Sequence, residues 1–399
     1  MDVMTENKAV PKLRFREFND IWQQKALEDV GSLVTGLTYS PKDITNDGVL
    51  VLRSSNVQNN QLAFEDNVYV NVESFNPVKE NDILICVRNG SKRLIGKSCL
   101  IDKNNEGVAF GAFMTVYRSV NNKFISHLFS LSSYYKTIHQ NLGATINSIN
   151  NNDLKKFKFF FPSLDEQQKL ASFLCAVDKK LQQLTRKKEL LEEYKKGVMQ
   201  QIFSQELRFK DNNGDNYPDW EEKRIGELFE ERNEKNFVNM ELLSVSINKG
   251  IFPQSKSNKK DNSNRDKSKY KRVLAGDIAY NSMRMWQGAS AVSNLNGIIS
   301  PAYTVLKSNR YNNSQYFGYL FKMRFMIQTF QKHSQGMTSD TWNLKYRMIS
   351  PIKIKVPHLD VQIRVANFLS SLDSKIDLVS TQIENTKAFK KGLLQQMFV

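Results

Sequence analysis

The sequence predicts an α+β protein: two similar α/β domains joined by two long antiparallel coiled-coil helices, with pseudo-two-fold symmetry. Three observations predict it. Residues 161–204 and 356–399 align without a gap at an offset of 195, with 16 identities over 44 positions. Among these are Pro162/Pro357, Asp165/Asp360, Phe173/Phe368, Asp178/Asp373, Gly197/Gly392 and Gln200/Gln395. Both segments carry apolar heptads. The segments ahead of them share weaker anchors, so the repeat unit is half the chain. The predicted order is a first domain over 11–160, a spacer helix over 161–204, a second domain over 205–355 and a C-terminal helix over 356–399.

Each half opens on the same signature. Residues 11–36 echo 206–231 through Leu-Arg-Phe, a Trp (Trp22, Trp220), a Lys three residues later and a short amphipathic helix start. Further on, 75–85 matches 270–280, where Asp82-Ile83 and Asp277-Ile278 open strands. Each strand runs into a polar loop: Arg88–Arg93 in the first half, Asn281–Gly288 in the second. Asn89-Gly90 is a hairpin-turn signal. Short helical patterns follow at Ser126–Gln140 and Gln315–Gln331. Between these anchors the halves diverge. Residues 254–272 hold eight Lys/Arg against two Asp, whereas the counterpart around 58–74 is neutral to acidic. The basic stretch reads either as a solvated loop or as a phosphate-contacting segment. Similar frames with dissimilar loops suggest two recognition surfaces aimed at different targets.

The helices are built to pair. Leu170, Val177, Leu184, Leu191 and Val198 recur every seven residues, with Leu174, Leu181, Lys188, Lys195 and Ile202 at the companion positions. The second copy gives Val365, Leu372, Val379, Thr386 and Leu393 with Leu369, Ile376, Ile383, Lys390 and Met397. Each stripe is eight-tenths apolar, an a/d seam of about five heptads. The residues expected to make it are Leu170, Leu174, Val177, Leu181, Leu184 and Leu191, facing Leu369, Leu372, Ile376, Val379 and Ile383. Each helix follows a Pro and has an Asp in its first turn (Asp165, Asp360). About 38 residues make a rod of roughly 57 Å, whose exposed seam needs a partner. The other copy is the nearest one; the alternative is that each helix lies on its own domain as a core element.

Composition bounds the function. The 399 residues suffice for two cores, with 40% hydrophobic and 25% charged residues. The formal charge of +16 and pI near 9.5 favour a polyanionic partner, nucleic acid first. A generally Lys-rich composition and an anionic membrane are the alternatives, the latter without a basic amphipathic helix to support it. Cys86, Cys99 and Cys175 form no CxxC pair and suit a reducing compartment. The first residues show no apolar signal region and no stretch approaches a membrane span, so a cytoplasmic location is expected.

Catalytic signals are missing. Residues 90–98 imitate a phosphate-binding loop but place five residues between the glycines and lead into a strand-like run. His127, His139, His333 and His358 have no metal-ligand spacing. Asp219, Glu221 and Lys223 are too compressed for a nuclease triad and read as solvating a helix start. No adenine-methyltransferase Pro-Pro-aromatic motif and no GxSxG are present.

At this point the chain resembles the specificity subunits of type I restriction–modification systems. The residues that carry the resemblance are P-x-L-D-x-Q (Pro162–Gln167, Pro357–Gln362), A-x-F-L-x-x-x-D (Ala171–Asp178, Ala366–Asp373) and KKG-x-x-QQ-x-F (Lys195–Phe203, Lys390–Phe398). One departure is Val361 where the first copy has Glu166, which weakens a local cap. The resemblance implies a non-catalytic subunit with two target-recognition domains, each reading one half of a split double-stranded DNA sequence. The helices would fix the spacer and dock two DNA adenine methyltransferase (modification) subunits. Restriction/translocase subunits would join them, and S-adenosylmethionine, ATP and Mg would belong to those partners, not to this chain. Target adenines would leave the base stack. Phosphate attraction would be salt-dependent. By loop position and chemistry, the DNA-binding candidates are Arg53, Asn56, Arg88, Lys92, Arg93, Arg284 and Gln287, since Arg can bridge guanine and Gln adenine. A non-enzymatic assembly scaffold using the helical hairpin is the rival reading. A stand-alone nucleic-acid enzyme is another.

Overall fold

The computed structural model describes residues 9–142, 147–247, 250–257, 261, 263–338 and 341–399. Part of the basic stretch, 258–260 and 262, lies outside the described residues, as do the first eight. The chain forms two compact units. The first runs to Arg186 and takes in Ser380–Val399; the second is Lys187–Val379. Each unit therefore holds the beginning of one long helix and the end of the other.

In the first unit, β1 (Gln23–Ala26), β2 (Gly31–Thr35), β3 (Ile83–Cys86), β4 (Ser98–Leu100), β5 (Met114–Ser119) and β6 (Lys158–Phe161) frame the domain. The main sheet runs β2-β5-β3-β4, antiparallel throughout. β1 and β6 pair separately, Gln23 opposite Phe161. Helices α1 (Asn122–Leu128) and α2 (Ser132–Gln140) follow β5, and α3 (Leu164–Phe203) follows β6. All four residues of β3 are buried, because the helices cover the sheet face that solvent would otherwise reach.

The second unit repeats this scheme. Its strands are β7 (Glu221–Arg224), β8 (Phe229–Glu231), β9 (Ile278–Asn281), β10 (Ser290–Val292), β11 (Tyr303–Ser308) and β12 (Lys353–Val356). The sheet order is β8-β11-β9-β10, again antiparallel, and β7 pairs with β12. Helices α4 (Ser314–Leu320), α5 (Arg324–His333) and α6 (Leu359–Met397) complete it. The acid of each Asp-Ile pair explains itself. Buried Asp82 accepts from Lys79 N at 2.7 Å and pairs with Arg118 at 3.0 Å. Asp277 accepts from Leu274 N at 2.8 Å and pairs with Arg232 at 2.7 Å.

Four expectations are corrected. Asn89-Gly90 is not a tight hairpin turn: β3 and β4 pair across a longer loop that turns through Lys92–Leu94. The helical patterns 126–140 and 315–331 both break, at Phe129–Leu131 into α1 and α2 and at Phe321–Met323 into α4 and α5. Glu221 and Lys223 lie in strand β7, not at a helix start, and pair with each other at 3.0 Å. Glu166 is not a cap: it is 1% exposed and takes a two-pronged ion pair from Arg14 at 2.8 and 2.7 Å. In the second unit buried Val361 stands in its place, and Arg208 turns to exposed Asp219 instead.

The helix motifs make their own contacts. Buried Gln167 and Gln362 each donate from Nε2 to the carbonyl of the motif proline, Pro162 or Pro357, at 3.0 Å. That bond closes the turn into the helix. Ala171 and Ala366 are buried where a larger side chain would hold the helix off its domain. The lysine that opens KKG and the aspartate of the middle motif meet in each unit: Lys390 with Asp178 in the first, Lys195 with Asp373 in the second. The two helices therefore run antiparallel where they meet in each unit. Lys195 and Lys390 are polar exceptions in the heptad stripes, and the ion pairs account for them.

Seam residues serve both roles the sequence allowed. Leu170 and Leu174 join the first domain core, alongside Leu393, Met397 and Phe398 from the end of α6. Val365, Leu369 and Leu372 join the second, alongside Val198, Ile202 and Phe203 from the end of α3. Leu184, Val379 and Ile383 are buried, while Val177, Leu181, Leu191 and Ile376 are half-buried. In the first unit, the Phe398 ring stacks on Phe124 at 5.4 Å and meets the Trp22 edge at 6.1 Å.

Candidate nucleic-acid interface

The loops that leave β3 and β9 at corresponding ends of the two sheets carry most of the candidate residues. In the first unit, Val87 N and Arg88 N both donate to Phe113 O, at 3.0 and 3.1 Å. Arg88 also bridges to Ser148, and Asn147 Nδ2 donates to Gly90 O at 3.0 Å. The Arg88 guanidinium sits 5.4 Å from the Phe113 ring, which is 56% exposed. Lys92 and Arg93 are exposed on the following turn. Buried Ile95 anchors that turn, and Gly96 adopts φ +86° where Tyr134 and Ile138 leave little room.

A second segment is tied to this loop. Asn89 Nδ2 donates to Ser54 Oγ at 2.8 Å and Lys97 Nζ to Ser54 O at 3.0 Å. Between them opens a groove of about 550 Å³ lined by Ser54, Ser55, Gln58, Asn59, Leu94 and Lys97. Arg53 borders it, paired with Asp66 at 2.9 Å. Asn56 is fully buried: it accepts from Arg53 N at 2.9 Å and donates to Ala63 O at 2.9 Å. Its amide holds the segment and has no exposed atom to offer a base.

In the second unit, Arg284, Gln287 and Gly288 form a tight turn, with Gly288 at φ +79° and its N bonded to Met285 O at 2.8 Å. Gln287 is exposed and Arg284 half-exposed. Trp286 donates its indole N–H to Met283 O at 3.1 Å and meets the Trp342 ring edge-on at 5.2 Å. Trp342 belongs to a neighbouring loop closed by a bridge from Gln335 to Asn343 and joined to Ser282 O through Leu344 N at 2.8 Å. Met337, 99% exposed, stands on that loop.

The structure thus brings Arg53, Arg88, Lys92 and Arg93 to one face of the first domain, and Arg284 and Gln287 to one loop of the second. Sequence reasoning missed the bracing segments 147–149, 335–338 and 341–344, and the aromatic neighbours Phe113, Trp286 and Trp342. The signal available was a Trp closing a short run of small and polar residues, 336–342. In the basic stretch, Lys271 and Arg272 are held by Glu231 and Glu234 at 3.0 and 2.9 Å.

A polar cluster faces each helix pair. In the first unit, His127 Nε2 lies 3.7 Å from Cys175 Sγ, and its Nδ1 3.9 Å from Asp178, the partner of Lys390. Burial, with Lys390 close by, pushes the His127 imidazole down to about 4. In the second, Tyr319 donates to Asp373 at 2.6 Å and lies 3.2 Å from Ser370, beside Lys195. Burial, reinforced by Asp373, pushes the Tyr319 phenol up to about 12. Among the described residues no group of three or more His, Cys, Asp or Glu could hold a metal, and no helix is long and apolar enough to cross a membrane.

Comparison with known proteins agrees with this doubled architecture. The type I restriction modification DNA specificity domain matches twice, over residues 19–193 and 217–387. The StySPI specificity subunit of Salmonella potsdam is 28% identical over 223 residues, 52% of this chain and 48% of that protein. The EcoKI specificity subunit of Escherichia coli K12 is 29% identical over 194 residues, 45% and 41%. These matches span about half the length of the relatives. The crystal structure of an S subunit from M. genitalium shares the fold with a TM-score of 0.64 at 17% identity, over 98% of this chain and 99% of that one. With two copies of the domain covering most of its length, the chain belongs to the family of type I restriction–modification specificity subunits.

Proposed function

We propose that this chain is the DNA-reading, non-catalytic subunit of a type I restriction–modification complex. One target-recognition domain, 11–160, reads one half of a bipartite double-stranded site, and the other, 205–355, reads the second half. The observation that carries this reading is the pairing of like frames with unlike loops. Equivalent antiparallel sheets carry Arg88, Lys92 and Arg93 after β3 but Arg284 and Gln287 after β9. Arg53 borders the first surface; Asn56 is dropped because it is buried. Cations at loop tips supply phosphate attraction and guanine contacts, and the glutamine suits adenine.

The helical regions 161–204 and 356–399 set the unspecified spacer and hold two DNA adenine methyltransferase subunits. Restriction/translocase subunits complete the assembly. Methyl transfer and strand cleavage, with S-adenosylmethionine, ATP and Mg, then belong to those partners. Arg88→Ala should relax one position of one half-site, and Arg284→Ala one position of the other, each at about 1–3 kcal/mol. Competition binding of the assembled methyltransferase on single-base variants of its site checks this. Loss at both half-sites from one substitution, or at neither, would refute the assignment.

A further inference from the structure

Residues 56–61 read Asn-Val-Gln-Asn-Asn-Gln, five amide side chains in six positions. Two of them are spent on the fold. Asn56 is fully buried, and its Nδ2 donates to Ala63 O at 2.9 Å and to Asn67 Oδ1 at 3.1 Å. Asn60 Nδ2 reaches Ser130 Oγ at 3.4 Å, at the break between α1 and α2. Between these two fixings the chain makes a hairpin. Val57–Gln58 and Gln61–Leu62 pair antiparallel, and Asn59 and Asn60 turn at φ +51° and +60°. Two central residues at positive φ match the twist of the strands, and asparagine tolerates that conformation better than most side chains. Buried Val57 sets the stem into the first core.

The hairpin forms one wall of the groove at Ser54. Gln58 and Asn59 line that wall, and Leu94 and Lys97 of the loop between β3 and β4 line the other. Ser54 ties the walls together, taking Asn89 on its hydroxyl and Lys97 on its carbonyl. Bonds across the groove therefore fix its width. Its polar groups keep bonding capacity. The Asn59 side chain makes no hydrogen bond among the described residues. Gln58 gives only its Nε2, to Ser55 O at 3.3 Å, and keeps its carbonyl oxygen. Lys97 uses one of its three ammonium donors. Gln58 and Asn59 are exposed and Lys97 is half-buried.

We propose that this groove is a second DNA-reading element of the first domain, separate from Arg88. Gln58 and Asn59 read adenine in the half-site of that domain, and Lys97 with Ser55 anchors a backbone phosphate beside it. An amide matches the N6/N7 edge of adenine, and an ammonium beside a hydroxyl matches a phosphate. Duplex DNA is the occupant because the loop that makes the second wall also carries Arg88, Lys92 and Arg93. The rigid mount matters as well, since amides on a braced hairpin lose little freedom on binding. The inference rests on the reading of 11–160 as a target-recognition domain.

The test uses the full chain assembled with its methyltransferase subunits, in competition binding on single-base variants of the methylated site. Asn59→Gly removes the amide and keeps the turn, because glycine accepts positive φ, so Tm should hold. Asn59→Gly and Gln58→Ala should each lower discrimination roughly tenfold at an A·T position of one half-site. Those positions should differ from the one that Arg88→Ala relaxes, and the other half-site should be untouched. Lys97→Met should weaken binding to all sequences alike and make the slope of log affinity against log salt shallower by about one. A merely structural lysine would lower Tm and leave that slope alone, which overturns the anchor. Full discrimination in both amide variants, with Arg88→Ala still relaxing its position, overturns the groove and leaves the domain reading standing. If Arg88→Ala and Arg284→Ala also change nothing, the domain reading falls and the groove with it.

Discussion

At the scale of single residues, the motif positions are explained by what they touch. Arg14 is the clearest case, because its partner Glu166 is almost fully buried. Removing one member of a buried pair leaves an uncompensated charge, so Arg14→Ala should cost about 3–5 kcal/mol. Arg208→Ala, at the matching place in the second unit, should cost under about 1 kcal/mol, since Arg208 pairs with exposed Asp219. Urea midpoints of the two variants check the contrast; equal losses would contradict it. His127 gives a pH prediction. The free imidazole titrates near 6.5 and the folded one near 4. Between those values the unfolded chain binds the extra proton, so stability rises with pH across the window. It is fully present above about 6.5 and is lost as pH falls through about 4, a span of roughly 3 kcal/mol. Asp178 and Lys390 are the charged groups facing the ring. His127→Gln should flatten the slope between pH 4.5 and 7 in urea titrations; an unchanged slope would assign it to other groups.

At the scale of elements, the long helices were the most legible part of the sequence. Two seven-residue stripes that share the break at Lys195 and Lys390 give type and length without tertiary information, and leave the face's partner open between the other helix and the domain. What the stripe did not reveal is the use of its polar exceptions. Lys195 and Lys390 read as imperfections in a seam, yet they select Asp373 and Asp178 across the pair. The sheets were legible only at the Asp-Ile anchors, because strands such as Ile83–Cys86 are buried on both faces and show no alternation. Asn56 misled for a physical reason. A polar side chain in a loop is as often spent on the loop's own backbone as on a ligand, and sequence cannot tell these apart. The loops bracing Arg88 and Trp286 come from far along the chain, so no local pattern announced them. The helices also carry a prediction. Four residues inserted into α3 at the centre of the rod lengthen it by about 6 Å, a step of one to two base pairs along DNA. The spacer of the methylated site should change while both half-sites persist. Altered half-sites would contradict a measuring role for the helix.

At the scale of the whole molecule, the chain has one frame used twice. The repeated features are structural: the Gln167 and Gln362 turns, the Lys–Asp pairs and the two equivalent sheets. The features that differ are the exposed loop tips, and they carry cations and aromatic rings. A net charge of +16 favours polyanionic partners without regard to sequence. The frame is repeated and the loop tips are not.

The central claim is that this chain chooses where its system methylates. It is tested most directly by mapping adenine methylation across the host genome with single-molecule sequencing, with the gene intact and deleted. Loss on deletion of one two-part motif, methylated once on each strand and interrupted by a fixed spacer, is the predicted result. A host that keeps every methylated motif after deletion, while its methyltransferase subunits remain expressed, would contradict the account.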